Sequence, residues 1–423
     1  MSASEATRRL GVEPWVVVVA LGLLTGLQPL TTDLYLPALP QMQQGLGLSA
    51  SSAQWTLSVL ILAFGVGQLV WGPISDRVGR QPVLRWGLGL YVLASLAATL
   101  APNLELMLLA RVAQGACLSA AVVCGRAMVR DLCAPEEGAR MMARGMTGLG
   151  VLALVGPIVG GLMATHAGWR GTMGILVLVG AAIWCFVWCK LPETLPEGRR
   201  QRSLEWSTMG RQWLRISTHP TFRAHAMLTS CTYAGLYVYL ALSPFVFIEV
   251  LHVSRTAFGV TMATLSLSYL VGTIVCRRML PTRGLLGTVR IAGWFSLTGG
   301  AAMVLLSLWQ VGVGGQVSAL AFLPGLWLYA LAHGIHQPCG QTGVVAAFPH
   351  QAGAASALSG FVLATVAFLV GAVLAWWSAL PGWAGTIHPL TLGMGIGGAM
   401  TGWTALARVQ RHGLPRTEHG AIA

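Results

Sequence analysis

The sequence predicts an all-α membrane protein of twelve transmembrane helices arranged as two six-helix bundles. Its composition is 55% hydrophobic and 9% charged over 423 residues, against about 25% charged in a soluble domain, and mean hydropathy is +0.68. Apolar runs of roughly 20 residues, the length that crosses the hydrocarbon core of a bilayer, recur along the whole chain. Most of the arginines fall between these runs or at their ends.

Taken in order, the runs lie at 14–37, 53–73, 83–101, 104–128, 145–165, 171–190, 224–250, 257–278, 288–309, 317–340, 353–378 and 384–407. Arg8 and Arg9 ahead of the first run imitate a signal peptide, but no small-residue cleavage site follows, so the run reads as an uncleaved first span. With the N-terminus placed in the cytoplasm, 23 of the 26 Lys and Arg residues fall on the cytoplasmic side, and only Arg111, Arg170 and Arg255 do not. Positive residues accumulate on cytoplasmic loops, so both termini are expected there. The longest polar stretch, from about Pro192 to Arg223, divides the chain into a first bundle (1–190), a cytoplasmic linker (191–223) and a second bundle with a short tail (224–423). Two such bundles joined by a linker form a transporter layout, with the substrate site expected at their interface.

Several functions are excluded. A net charge of +13 could suit nucleic acid, but no aromatic-interleaved basic face is present, and no nucleic-acid partner is expected. The eight cysteines contain no CxxC pair and lie in or beside apolar runs, where cysteine acts as a small buried hydrophobe. The only lysine, Lys190, is followed by Leu191, so a phosphate-binding Gly-Lys-Ser/Thr loop cannot form. HExxH and GxSxG are absent as well. The chain therefore reads as a non-enzyme with no cofactor or bound metal, driven by an ion gradient.

Three motifs carry the mechanism. Between spans two and three stands Gly72-Pro-Ile-Ser-Asp76-Arg77-Val-Gly79-Arg80-Gln81, a short turn needing glycine freedom with a carboxylate and guanidinium able to pair across helix ends. It resembles the G-x-x-x-D-R-x-G-R-R/K loop of the major facilitator superfamily, departing at Gln81. Plain positive-inside charge is the simpler alternative. Span four holds Arg111-Val-Ala-Gln114-Gly115, followed by Arg126, Arg130 and Asp131, which resembles the R-x-x-Q-G motif of that superfamily and its R-x-x-x-R-D ending. A guanidinium inside a span faces a cavity or a partner; Arg111 lies about 10 Å from its helix start and could instead snorkel to the interface. Span five carries Gly156-Pro157-Ile-Val-Gly160-Gly161. Gly156 and Gly160 share a face that allows close helix approach, and Pro157 kinks the helix. The run looks like the antiporter motif of the same superfamily, although glycine packing alone would also explain it.

Thr31-Thr32-Asp33-Leu34-Tyr35-Leu36-Pro37, with Gln54, Gln68 and the later His336-Gln337-Pro338-Cys339-Gly340-Gln341, is similar to the Bcr/CflA branch of drug-resistance transporters. That resemblance implies a twelve-span drug:proton antiporter. It would export small amphipathic molecules, such as bicyclomycin- or chloramphenicol-like antibiotics, across a bacterial inner membrane. The partners implied are a small-molecule substrate, protons and the lipid bilayer, with the chain acting as a monomer. Proton-linked transport of a native metabolite is the alternative; a non-transporting sensor or scaffold would need neither these motifs nor an acid inside a span.

Asp33 is the one acid of thirteen that falls inside a span rather than in a loop, tail or span end. A carboxyl group taken out of water holds its proton more tightly, and a nearby cation loosens it, so Asp33 is the expected proton carrier, tuned by Arg111. A solvated carboxylate at a helix end is the plainer reading. His333, His336 and Cys339 recur every three residues, which could suit a metal, although histidines bonded within a bundle are commoner. Tyr35, Gln114, Tyr233, Tyr237, Gln337 and Gln341, with Trp55, Tyr239 and Tyr269, are the expected lining of a substrate cavity.

Overall fold

The computed structural model describes residues 13–132, 135–196, 198, 206–314 and 317–415. Arg8, Arg9, Cys133, Arg199, Arg200, Arg202 and Arg416 lie outside them. Among the described residues the fold is all-helical, with no strand. The first half contains α1 (Pro14–Asp33), α2 (Ala50–Val78), α3 (Arg80–Leu100), α4 (Leu104–Leu132), α5 (Pro135–His166) and α6 (Gly168–Lys190). A short helix, Trp206–Thr218, follows. The second half contains α7 (Pro220–Pro244), the pair α8 (255–283) and α9 (285–313), then α10 (Leu323–Ala346), α11 (Ala352–Trp377) and α12 (His388–Trp403).

Nine described helices are long and apolar enough to cross a membrane; one of them is the joined α8–α9 pair, and the apolar part of α5, Gly150–His166, is a shorter one. With α12, the order is consistent with twelve crossings. The helices begin where local chemistry lets them. Ser49 caps α2 by accepting from the Ser52 amide at 3.0 Å, and Ser254 caps α8 through Ala257, each satisfying a donor the helix leaves open. Pro14 and Pro220 stand at first positions, where the missing N–H costs nothing.

The structure differs from the sequence reading at four places. The first span does not run to Pro37; α1 ends at Asp33, and a 3₁₀ turn (Leu36–Ala38) leads into a short helix, Leu39–Gly45. Pro37 and Pro40 explain the break, since each proline ring collides with the carbonyl four residues earlier, here Asp33 and Leu36. Spans eight and nine are joined without a loop: one residue, Gly284, leaves helical geometry with φ +62°, a conformation that costs glycine nothing. The linker is not merely polar. Ile216 of its helix is fully buried beside Phe222, Ala226, Val344 and Ala355. Cys185 and Cys189 of α6 are exposed rather than buried; on a lipid-facing surface a thiol is exposed to hydrocarbon, so the protein interior offers it no advantage.

Within the first half α1 packs on α5, α2 and α3 on α4, and α3 on α6. Within the second half α7 packs on α10, α11 and α12, and α8–α9 pack on α10 and α12. The halves meet along α2–α11 and α5–α8. Helix antiparallelism puts the start of α1 and the end of α12 at one end of the molecule, here the terminal end; the connections 45–50, 166–168, 250–255 and 377–388 lie at the far end. The apolar core is uneven between the two. At the far end a single cluster joins Leu34, Leu39 and Trp169 of the first half with Tyr237, Phe245, Phe247 and Phe258 of the second. Towards the terminal end the cores are separate, one around Leu24, Leu84 and Leu118 and one around Leu228, Val289 and Ile335. Among the described residues no apolar cluster spans the halves there. The molecule is sealed at the far end.

Candidate functional site

The site is built where α1 breaks. Asp33, the last residue of α1, is half-buried, and its Oδ1 accepts a 2.7 Å hydrogen bond from the Thr32 hydroxyl. Two residues on, the Tyr35 side chain is buried, with its ring beneath the Arg111 guanidinium at 3.9 Å and its hydroxyl 3.4 Å from that of Thr56.

Arg111 does not snorkel. It is fully buried, and α4 carries it into the interior, where Nη1 donates to Gln114 Oε1 at 2.7 Å. The Gln114 amide in turn donates to Ser95 Oγ at 2.8 Å, which donates to the Tyr91 carbonyl at 2.7 Å. The Tyr91 and Thr31 hydroxyls lie 2.7 Å apart, so the chain of polar contacts returns to α1 two residues before Asp33. Arg111 Nε and Nη2 have no partner. Every ion pair among the described residues involves Arg80, so Arg111 and Asp33 do not neutralise one another. A buried cation without an anion is costly.

The loop between α2 and α3 forms a charge cluster at the terminal end. Arg80 pairs with Asp76 at 2.6 Å and with Asp131 of α4 at 3.0 Å, and donates to Ser75 Oγ at 2.6 Å. The cluster ties three helices of one half together rather than bridging the halves. Gly79 makes its turn with φ +112°. Arg77 and Arg130 are exposed; Arg130 stands against Gly353 at the start of α11, within 3.1 Å of where a Cβ would sit. Gly72 has open space beside it.

One participant escaped the sequence reading. Glu193, just past α6, accepts from the Arg80 amide at 2.9 Å and the Gln81 amide at 3.3 Å, and from those of Thr194 and Leu195 at 2.9 and 2.8 Å. It caps α3 with negative charge, where the helix dipole favours it. No sequence spacing links residues 113 apart; the only local signal was an acid following Pro192 at a span end.

The glycines of α5 work by closeness. A side chain at Gly160 would strike the Leu34 carbonyl, one residue past Asp33. One at Gly161 would lie 2.6 Å from the Arg255 carbonyl of α8, and one at Gly156 would lie 3.1 Å from Leu30. The Pro157 carbonyl sits against Gly259 of α8. This run lets α5 press on α1 and on the other half together.

The expected cavity residues divide. Tyr35 and Gln114 belong to the Arg111 cluster. Tyr237 is fully buried and its hydroxyl lies 2.6 Å from Ser58 Oγ across the halves. Tyr233 and Tyr269 flank His333, with ring centroids at 6.2 and 5.6 Å; Tyr239 packs on Phe247 in the seal. Gln337 and Gln341 are half-buried on α10. The α10 residues at three-residue spacing do not converge: His333 Nδ1 bonds with the Thr232 hydroxyl at 3.1 Å, Cys339 Sγ lies 3.6 Å from Cys276 Sγ, and both ring nitrogens of His336 lack partners.

Apolar helices in two halves sealed at one end, with an unneutralised polar cluster buried in the first half beside that seal, are the architecture of a multi-pass membrane transporter. The chain belongs to the major facilitator superfamily, whose family model matches residues 21–372. It is similar to the chloramphenicol resistance protein of Pseudomonas aeruginosa, at 30% identity over 361 residues covering 82% of each chain. It is also similar to the bicyclomycin resistance protein homolog of Haemophilus influenzae, at 24% identity covering 85% of this chain and 89% of that one. In fold it resembles the crystal structure of a D-xylose–proton symporter, with a TM-score of 0.71 at 15% identity over 93% of this chain and 96% of the other.

Proposed function

We propose that this transporter exports small amphipathic molecules, with antibiotics of the chloramphenicol or bicyclomycin type as the expected class, in exchange for protons across a bacterial inner membrane. In this reading the terminal end faces the cytoplasm, as the arginine placement favours, and the far end faces outward. The chain works as a monomer, with the proton gradient as its only energy source.

The observation that carries the proposal is that Arg111 is fully buried with two vacant donors and forms no ion pair with Asp33. Asp33 can then change charge without breaking a bond to Arg111. When the far end opens, Asp33 takes a proton from outside. When the terminal end opens, that proton leaves, and the carboxylate and the substrate compete for the vacant donors of Arg111. Moving one charge through a 100 mV potential yields about 2.3 kcal/mol, enough to sustain a roughly fifty-fold concentration ratio. The antibiotic-resistance names of the two relatives support outward transport of such compounds.

The test uses purified protein in proteoliposomes with an internal pH dye and chloramphenicol as substrate. Wild type should show substrate-dependent proton movement, and Asp33→Asn should abolish it while substrate binding persists. Unchanged coupled flux in Asp33→Asn would sink the assignment. Proton movement driven by a metabolite and by no drug would replace export with metabolite transport.

A further inference from the structure

At the far end, outside the Arg111 cluster, a cavity of about 350 Å³ lies between the halves. It is near the small end of the range that holds drug-sized ligands. None of the residues discussed above for proton or substrate handling lines it. Its walls are Gln54 of α2, Phe245 and Glu249 after α7, and Ser378, Trp383 and Leu390 around the α11–α12 connection, so both halves contribute.

Three of these side chains specify a ligand. Glu249 presents a carboxylate that has no ion pair among the described residues; its polar neighbour is Gln44, and Arg255, six residues later, does not reach it as a salt-bridge partner. Gln54 is 1% exposed. Its amide nitrogen donates to Ser378 Oγ at 3.3 Å, joining the halves, but its Oε1 is buried without any donor. A buried carbonyl oxygen left unpaired is costly, and Gln54 is a residue of the cavity wall, so an occupant's N–H is the partner that would relieve it. Trp383 offers an indole face, held by Trp377 at 5.1 Å and His388 at 6.3 Å.

We infer that this cavity is a second ligand site, separate from the transport site, that binds a protonated primary or secondary amine carrying an apolar or aromatic body. Glu249 supplies the counter-charge, Trp383 a cation–π surface, and Gln54 Oε1 accepts an N–H that a quaternary ammonium lacks. Because the walls come from both halves, the occupant binds only while the far end is closed, and so favours that state by its differential affinity.

Calorimetry on the purified full chain in detergent tests this with three probes sharing one indole: tryptamine, its N,N,N-trimethyl derivative and tryptophol. Tryptamine should bind saturably, the quaternary derivative at least about tenfold more weakly, and tryptophol not at all. Glu249→Gln, at an exposed position that leaves folding intact, should weaken tryptamine at least about tenfold; Gln54→Leu should weaken it and remove the preference over the quaternary probe. Asp33→Asn should leave binding unchanged. Equal affinity in wild type and Glu249→Gln, absence of saturable binding in wild type, or loss in Asp33→Asn would each overturn the assignment. The measurement requires no transport, so failure of proton coupling leaves it intact.

Discussion

At the scale of single residues, the molecule spends stability on Arg111. A fully buried guanidinium with two vacant nitrogens gains only the Gln114 bond and the Tyr35 ring, and a desolvated cation–π contact recovers only about 2 kcal/mol or somewhat more. Removing a buried charge that has no counter-ion also removes its desolvation cost, and an apolar side chain of similar volume fills the space. Arg111→Met should therefore unfold in detergent at an unchanged or higher temperature while export falls at least about tenfold; a lowered unfolding temperature would show that the charge is structurally compensated. Glu193 is the opposite case. Its carboxylate holds four backbone amides, and loss of a helix cap costs about 0.5–2 kcal/mol. Glu193→Ala should cost about 1–2 kcal/mol in chemical denaturation, with Glu193→Gln losing less because its amide oxygen still accepts. Arg111 was legible because a charge inside an apolar run is rare. Glu193 was not, because its role depends on two loops meeting.

At the scale of elements, glycine and proline placement decides which helices touch. The span positions were readable from apolar length, and the close approach of α5 from the spacing of its glycines. That Gly160 meets the carbonyl just beyond the α1 break was not, because the break itself arises from Pro37 and Pro40 acting on a helix whose apolarity continues unchanged. The joined α8–α9 pair hid for a similar reason: Arg277, Arg278 and Arg283, at the end of the run 257–278 and before the run 288–309, suggested a loop, whereas one glycine at positive φ suffices. Gly160→Ala should force α1 from α5 and cost about 1–3 kcal/mol, the usual penalty for overpacking, with loss of export. Gly174→Ala on α6, where nothing lies within 4 Å, should leave both properties unchanged. Parallel thermal melts and transport assays of the two variants separate crowding at Gly160 from a general intolerance of substitution.

At the scale of the whole molecule, the sequence foretold two sets of helices but not the state in which they rest, because sealing depends on which side chains of separate halves meet. Here an apolar cluster unites the halves at the far end, while their cores part towards the terminal end. Alternating access then requires the far end to come apart once per cycle. At its rim the hydroxyls of Thr165 on α5 and Thr256 on α8 lie 3.3 Å apart across the halves, and both are solvent-accessible. Hydroxyls this close mark the two positions as the pair at this rim to test for a cross-link, which forms when the Cβ atoms come within about 3.5–4.5 Å. The double variant Thr165→Cys/Thr256→Cys, with the exposed Cys185 and Cys189 replaced by serine, should export normally when reduced, stop when oxidised, and recover on adding reductant. Substrate should still bind from the terminal end in the oxidised form. Full export with the cross-link demonstrably in place by gel shift would mean that this rim stays closed throughout the cycle, and that the moving seam lies elsewhere between the halves.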